Sequence, residues 1–149
     1  MIVLMSVTDT MVCFSLYSAA RATTRAYRTL LEPWDLTYPQ YLVLVVLWND
    51  GDQSVHSLGK AMQLDSGTLS PLIRRLEQAG YVRRERREQD ARVVTVTLTD
   101  AGTALRAELA HLPGKVRELM LTTDDAHAAE LIDTLQKMCG SLNASEPHH

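Results

Sequence analysis

The run SVHSLGKAMQLDSGTLSPLIRRLEQAG, residues 54–80, decides the fold. Ser54 stands where a helix N-cap is wanted, and Val55, Leu58 and Met62 follow at the three- and four-residue steps of a helix. Gln63-Leu64-Asp65 is a brief link. Asp65 or Ser66 then caps a second helix with Leu69, Leu72, Ile73 and Leu76 on one face. Pro71 falls within its first turn or two, and Gly80 suits the left-handed position past its end. Two short helices on a tight link make a helix-turn-helix.

Downstream, residues 81–86 and 92–98 read as two strands joined by the charged tip Arg87-Glu88-Gln89-Asp90-Ala91, because the second run is β-branched at nearly every position. This is a β-hairpin wing. Thr99 and Asp100 begin a helix expected to run to about Met120, with a kink or break at Pro113-Gly114. Thr123 with Asp124 and Asp125 begins the last helix, whose Ala126, Ala129, Ile132, Leu135 and Cys139 or Leu142 form an apolar stripe; the final seven residues are expected to fray. Upstream, Thr37-Tyr38-Pro39-Gln40 is a capping box with proline in the first turn. The helix it opens is apolar on every side through Trp48, the pattern of a helix buried all round, with a buried strand as the competing reading. From Thr8 to about Leu31, Val12, Cys13, Leu16, Tyr17, Ala20, Tyr27, Leu30 and Leu31 keep helical period, and Pro33 ends the run. The expected fold is mainly α with a small β-hairpin wing: a winged helix-turn-helix over about residues 37–99.

The chain of 149 residues fits one domain, and 46% apolar with 22% charged residues excludes disorder and fibrous classes. No uncharged apolar run reaches the roughly 20 residues of a membrane span, and residues 1–5 lack the basic start of a signal peptide, so a cytoplasmic protein with no membrane partner is expected. Cys13 and Cys139 are too isolated for a structural zinc site. His56, His111, His127, His148 and His149 match no metal or triad spacing, and no cofactor is implied. The net charge of −3 hides a split, since residues 54–99 carry +3 and the rest −6. Seven of the eight aromatic residues lie between Phe14 and Trp48, which concentrates rings near the N-terminus, where they serve equally as core or as a subunit interface.

A basic middle third on an acidic chain suggests a local anionic partner. The second helix of the motif can enter a DNA major groove with Ser66, Gly67, Thr68 and Ser70 at the base edges, while Arg74 and Arg75 lie where phosphates pass. Arg86, Arg87 and Arg92 on a projecting ribbon suit the narrow, electronegative minor groove. Helix-turn-helix, basic helix face and basic hairpin in that order point to double-stranded DNA.

Leu64-Asp65-Ser66-Gly67-Thr68-Leu69-Ser70-Pro71-Leu72, then Arg75-Leu76-Glu77, Gly80, Asp90-x-Arg92 and Leu98-Thr99-x-x-Gly102, resembles the MarR family of winged-helix repressors. Cys13-Phe14-x-Leu16-Tyr17-Ser18-Ala19, Tyr27 and Leu36-Thr37-Tyr38-Pro39-Gln40-Tyr41 resembles its branch that senses organic hydroperoxides. The resemblance spans about residues 8–110. It implies that Cys13 is the peroxide-reactive thiol, that Tyr17, Tyr27 and Tyr38 are its hydrogen-bonding neighbours, and that Asp90 braces Arg92. It implies a homodimer on a palindromic operator, with residues 8–31 and 100–142 as dimerisation helices. Some members of the branch trap the oxidised thiol with a second cysteine. Cys139 is the candidate here, although it stands later in the chain than the pattern has it, and capping by a small thiol is the alternative.

Elementary geometry adds two points. A helix starting at Thr8 or Asp9 puts Cys13 about one turn in, where the helix dipole favours the thiolate. Tyr27 lies 14 residues on, about 21 Å along the same helix, so any contact with the thiol must come from a partner subunit. Three other functions compete. Thr10-Met11-Val12-Cys13 echoes the thiol peroxidases, but Ser6 stands where their proline belongs and the strands of their sheet are missing. A repressor released by a small phenolic ligand would use the rings without oxidation. A protein-interaction module would leave the basic wing idle.

Overall fold

The computed structural model describes residues 6–145; Met1 to Met5 and the terminal His148 and His149 lie outside them. After a 3-10 turn at Val7–Thr10, the elements are α1 Val12–Leu31, a 3-10 turn Glu32–Trp34, α2 Tyr38–Asp50, β1 Gln53–Ser54, α3 Val55–Met62 and α4 Ser66–Gln78. Then come β2 Val82–Arg87, β3 Asp90–Leu98, α5 Asp100–Glu108, α6 Leu112–Leu119 and α7 Asp125–Ala144. The chain forms two compact units, one up to Ala110 and one from His111 onward.

In the first unit, α2 is the central helix. Its capping box is complete: the Thr37 amide donates to Gln40 Oε1 (2.9 Å) and the Gln40 amide to Thr37 Oγ1 (3.4 Å). No residue from Gln40 to Trp48 is exposed, as its all-round apolar run requires. Around it Leu58 of α3, Leu69, Ile73 and Leu76 of α4, and Val82 and Val96 of the sheet are buried. Asp65, not Ser66, caps α4. Gly80 closes it at φ +84°, with Gly80 N bonding to Glu77 O and Tyr81 N to Leu76 O, the two bonds of a Schellman ending.

The sheet is antiparallel in the order β1-β3-β2 and has three strands where two were expected. The added strand is Gln53–Ser54, paired as Gln53↔Val96 and Ser54↔Thr95. Two residues carry no periodicity, and only docking on β3 makes them a strand. Ser54 still caps α3, its Oγ accepting from Ser57 N at 3.0 Å. The wing strands reach further than expected, so the tip shrinks to Glu88-Gln89, with an irregular register between Arg86 and Arg87. The first helix starts later, at Val12, because residues 7–10 tighten into the 3-10 turn and Met11 offers no capping side chain.

The expected helix from Asp100 to Met120 is two helices. The break falls at residues 109–111, ahead of the proline, because in an unbroken helix the Pro113 ring would clash with the Leu109 carbonyl, whereas in the first turn of a new helix its missing amide needs no partner. In the second unit, the Arg117 guanidinium donates to Thr122 O (2.8 and 3.0 Å) and pairs with Asp125 at 2.8 Å, fastening the α6–α7 turn. Asp124 caps α7 by accepting from Ala126 N at 3.0 Å. Asn143 and Ala144, expected to fray, are helical, and no residue of α7 is buried within the chain. Among the described residues no helix is long and apolar enough to cross a membrane.

Candidate functional site

The N-terminal turn of α4 is open. Ser66, Gly67 and Thr68 are exposed and Ser70 is half-buried, while the Asp65 carboxylate turns back to hold Thr68 N at 2.7 Å. The Thr68 amide and hydroxyl, bonding to that carboxylate, hold its pKa below the usual range. Small side chains on a capped, rigid helix start allow close approach of a partner. Gly67 sits against the cap, since a Cβ there would lie 3.2 Å from Asp65 Oδ1. Arg74 and Arg75, adjacent in sequence, point about 100° apart on a helix. Both are exposed, and Arg75 lines a hollow with Asp35, Thr37 and Gln40, on a flank of α4 turned toward the start of α2.

On the wing, Arg86, Arg87, Asp90 and Arg92 are all exposed. Asp90 Oδ1 accepts from the backbone amide of Arg92 at 3.0 Å. The bond shapes the start of β3. Arg92 itself lines a cleft of about 540 Å³ between α3, α4 and the sheet, together with Ser54, His56, Ser70 and Arg84. Arg84 is a basic residue to which the sequence assigned no role. Glu77 of α4 takes its Nε and Nη2 at 2.8 Å each and its amide at 3.2 Å, which ties the wing to the helix beside it. Those bonds lower the Glu77 carboxyl's pKa. The signal was present in the i, i+7 placement of opposite charges across Gly80, but only the turn geometry makes it a contact. His56 and Lys60, exposed on α3 at the same face, were also passed over.

A second constellation lies on α1. Cys13 is exposed at the second position of the helix, and Tyr17, one turn on, is 60% exposed with the Arg21 guanidinium 5.5 Å above its ring. Val12 and Phe14 are exposed as well. Tyr27 is buried at the far end of α1, where its ring stacks on Tyr38 with centroids 4.0 Å apart and planes 16° from parallel. Burial, with Tyr38 and Tyr41 nearby, pushes the Tyr27 phenol up to about 12, and burial raises that of Tyr38 too. Within one chain, then, Tyr27 and Tyr38 come together and Cys13 stands apart from them by the length of a helix. Tyr41, part of the sequence motif but given no role beside the thiol, is a third phenol of this cluster, 5.5 Å from Tyr27. Cys139 is exposed on α7, in the other unit.

An exposed, capped helix start beside an arginine-rich ribbon defines the class: a winged helix-turn-helix protein. The family described as transcriptional regulator SarA/Rot matches residues 25–109. The chain is 47% identical over 136 residues to the HTH-type transcriptional regulator TtmR of Methylorubrum extorquens (strain PA1), covering 91% of this chain and 69% of that protein. It is 40% identical over 108 residues to the organic hydroperoxide resistance transcriptional regulator of Bacillus subtilis (strain 168), covering 72% of this chain and 74% of that one. Among solved structures, reduced AbfR bound to DNA superposes with a TM-score of 0.78 at 34% identity, covering 87% of this chain and 90% of that one. The chain belongs to the MarR/SarA family of winged-helix transcriptional regulators.

Proposed function

We propose that this regulator is a repressor that binds a palindromic operator as a homodimer and lets go when an organic hydroperoxide oxidises Cys13. The observation that carries the reading is the separation of an exposed thiol, Cys13 at the start of α1, from a buried phenol pair, Tyr27 and Tyr38, about 21 Å along at its other end. A second copy running the opposite way along α1 brings its phenols to the first copy's thiol, which makes the dimer the sensing unit. Val12, Phe14 and Tyr17 on α1, and Leu131 and Ile132 on α7, are exposed apolar residues suited to such contacts. In a two-fold dimer α4 and the wing of each copy meet one half-site, so the operator repeats as an inverted pair.

The Cys13 thiolate attacks the distal peroxide oxygen. An S–O bond forms, the O–O bond breaks, and the leaving alkoxide takes a proton to become the alcohol, with sulfur left as a sulfenic acid. Tyr17, Tyr27 and Tyr38 supply O–H donors for the thiolate and the departing oxygen. Cys139 is then the resolving thiol if the partner's α7 lies beside Cys13; otherwise a small cellular thiol caps the sulfenate. The Bacillus subtilis relative is an organic hydroperoxide resistance regulator, and AbfR has been solved reduced, overoxidized and with a disulfide formed, which supports a thiol signal. AbfR bound to DNA, in its reduced and in its overoxidized form, supports DNA binding by this fold; in this chain we assign the contact to Ser66, Gly67, Thr68, Ser70, Arg74 and Arg75 on α4 and Arg86, Arg87 and Arg92 on the wing, all but the half-buried Ser70 being exposed.

A second reading has one foothold. The 540 Å³ cleft has apolar walls in Val55, Ile73 and Val93 and polar groups in Ser70, His56, Arg84 and Arg92, suited to a small anionic or phenolic ring. BpsR of Bordetella bronchiseptica, 25% identical with a TM-score of 0.78, is regulated in DNA binding by 6-hydroxynicotinic acid. The two readings separate when operator binding and free thiols are measured together, before and after one equivalent of an organic hydroperoxide. Release with loss of the Cys13 thiol supports oxidation, whereas release only by a phenolic acid, with both thiols intact, supports the ligand.

A further inference from the structure

The ring contacts do not stop at the Tyr27 and Tyr38 pair. Tyr41, 4% exposed, tilts against Tyr27 and meets Trp48 edge-on with centroids 6.1 Å apart. Tyr41 and Trp48 are seven residues apart on α2, two turns along one face. Trp48 Nε1 donates to the carbonyl of Gly102 at 2.9 Å, and Arg106 donates to Trp48 O at 2.9 Å and to Asn49 Oδ1 at 3.1 Å. Three hydrogen bonds therefore fasten the end of α2 to α5. Gly102 sits so close to the Tyr81 carbonyl that a Cβ would collide with it. Tyr81 in turn bonds through its amide to Leu76 O at the end of α4, and its carbonyl accepts from Thr99 N at the root of the wing. Every step from the phenols to the DNA-facing elements is a direct contact.

We propose that Tyr41 and Trp48 are the coupling link of the sensor, carrying a displacement of the Tyr27 and Tyr38 rings through the α2–α5 corner to the wing root and the end of α4. The inference rests on the peroxide-sensing reading. It adds two residues that touch neither thiol nor DNA, and it assigns them to the transmission step alone. A close-packed ring has few positions, so a shifted Tyr27 obliges Tyr41 to move or to lose its contact. The bond to Gly102 then transfers the movement to backbone, which has no slack at Tyr81.

The test compares operator affinity of fully reduced and fully oxidised protein, so that it is independent of how fast Cys13 reacts. The ratio of the two dissociation constants measures the coupling. Tyr41→Leu removes the ring and Trp48→Phe removes the Nε1 donor; in each the ratio is expected to shrink roughly two- to tenfold, the range spanned by one lost aromatic pair or hydrogen bond. Tyr41→Phe keeps the ring and retains the parental ratio. In a Trp34→Phe background, where Trp48 is the one tryptophan left, oxidation changes its emission, and adding Tyr41→Leu abolishes the change. A parental ratio in both Tyr41→Leu and Trp48→Phe overturns the proposal. So does a loss in Tyr41→Phe equal to that in Tyr41→Leu, which would put the effect on the hydroxyl. Should the parent itself show a ratio of one with Cys13 oxidised, the sensing reading fails first, in the parent, and the inference falls with it.

Discussion

Among the wing arginines, Arg84 is held by Glu77, whereas no carboxylate pairs with the guanidinium of Arg92 among the described residues. Replacing Arg92 by alanine removes a cation that is free to meet a phosphate and leaves the α4–β2 pin in place. Each phosphate contact contributes about 0.9 to the slope of log affinity against log salt. In the proposed dimer, with two wings on the DNA, the loss doubles to about 1.8. Between 50 and 200 mM salt, a fourfold change, that amounts to roughly a tenfold smaller loss of affinity than the parent suffers. The fall at low salt should be alike on operator and unrelated duplex, because a phosphate contact carries no sequence information. Fluorescence anisotropy over a salt series measures both quantities. A parental slope in Arg92→Ala would take this residue off the DNA backbone, and a loss confined to the operator would make it a base reader instead.

Gly102→Ala drives a methyl group into the Tyr81 carbonyl, and urea unfolding should show a loss of about 1–3 kcal/mol; parental stability would mean that the start of α5 gives way freely. The Tyr27 phenol, raised to about 12, stays protonated in the folded protein where a free tyrosine would ionise near 10. Its contribution is whole below pH 10 and is lost as pH rises toward 12, so thermal stability should fall across that window, and less so in Tyr27→Phe. Glu77 has a lowered pKa, so its contribution is present above about pH 4.3 and fades as pH falls below. Because the pair is a third exposed, Glu77→Gln should cost well under 1 kcal/mol at pH 7, and the difference from the parent should close in acid.

The helix-turn-helix was legible because its signals are local. Ser54 and Asp65 cap, Gly80 stops, and the apolar steps between them have a single period. The capping box at Thr37 weighed for a helix at α2 over a buried strand for the same reason. What escaped was set by tertiary contact: β1 exists only because Gln53 and Ser54 lie against Val96 and Thr95, and the Glu77 to Arg84 pin needs the Gly80 turn to bring its ends together. Pro113 announced a break but not its place, since a proline is comfortable inside a first turn and the helix ends ahead of it. On α1, the spacing of Cys13 and Tyr27 already separated them by a helix length. The Tyr27 to Tyr38 stack and the place of Tyr41 beside it needed two helices in register, which residue spacing along one chain does not carry.

The central claim is that oxidation of one sulfur releases the operator, and Cys13→Ser tests it most directly. Serine keeps the size of the side chain and removes the atom that attacks peroxide. On one palindromic duplex, parent and variant should bind alike when reduced. One equivalent of organic hydroperoxide should then release the parent as its Cys13 thiol disappears and leave the variant bound. Release of Cys13→Ser at the parental dose would contradict the account.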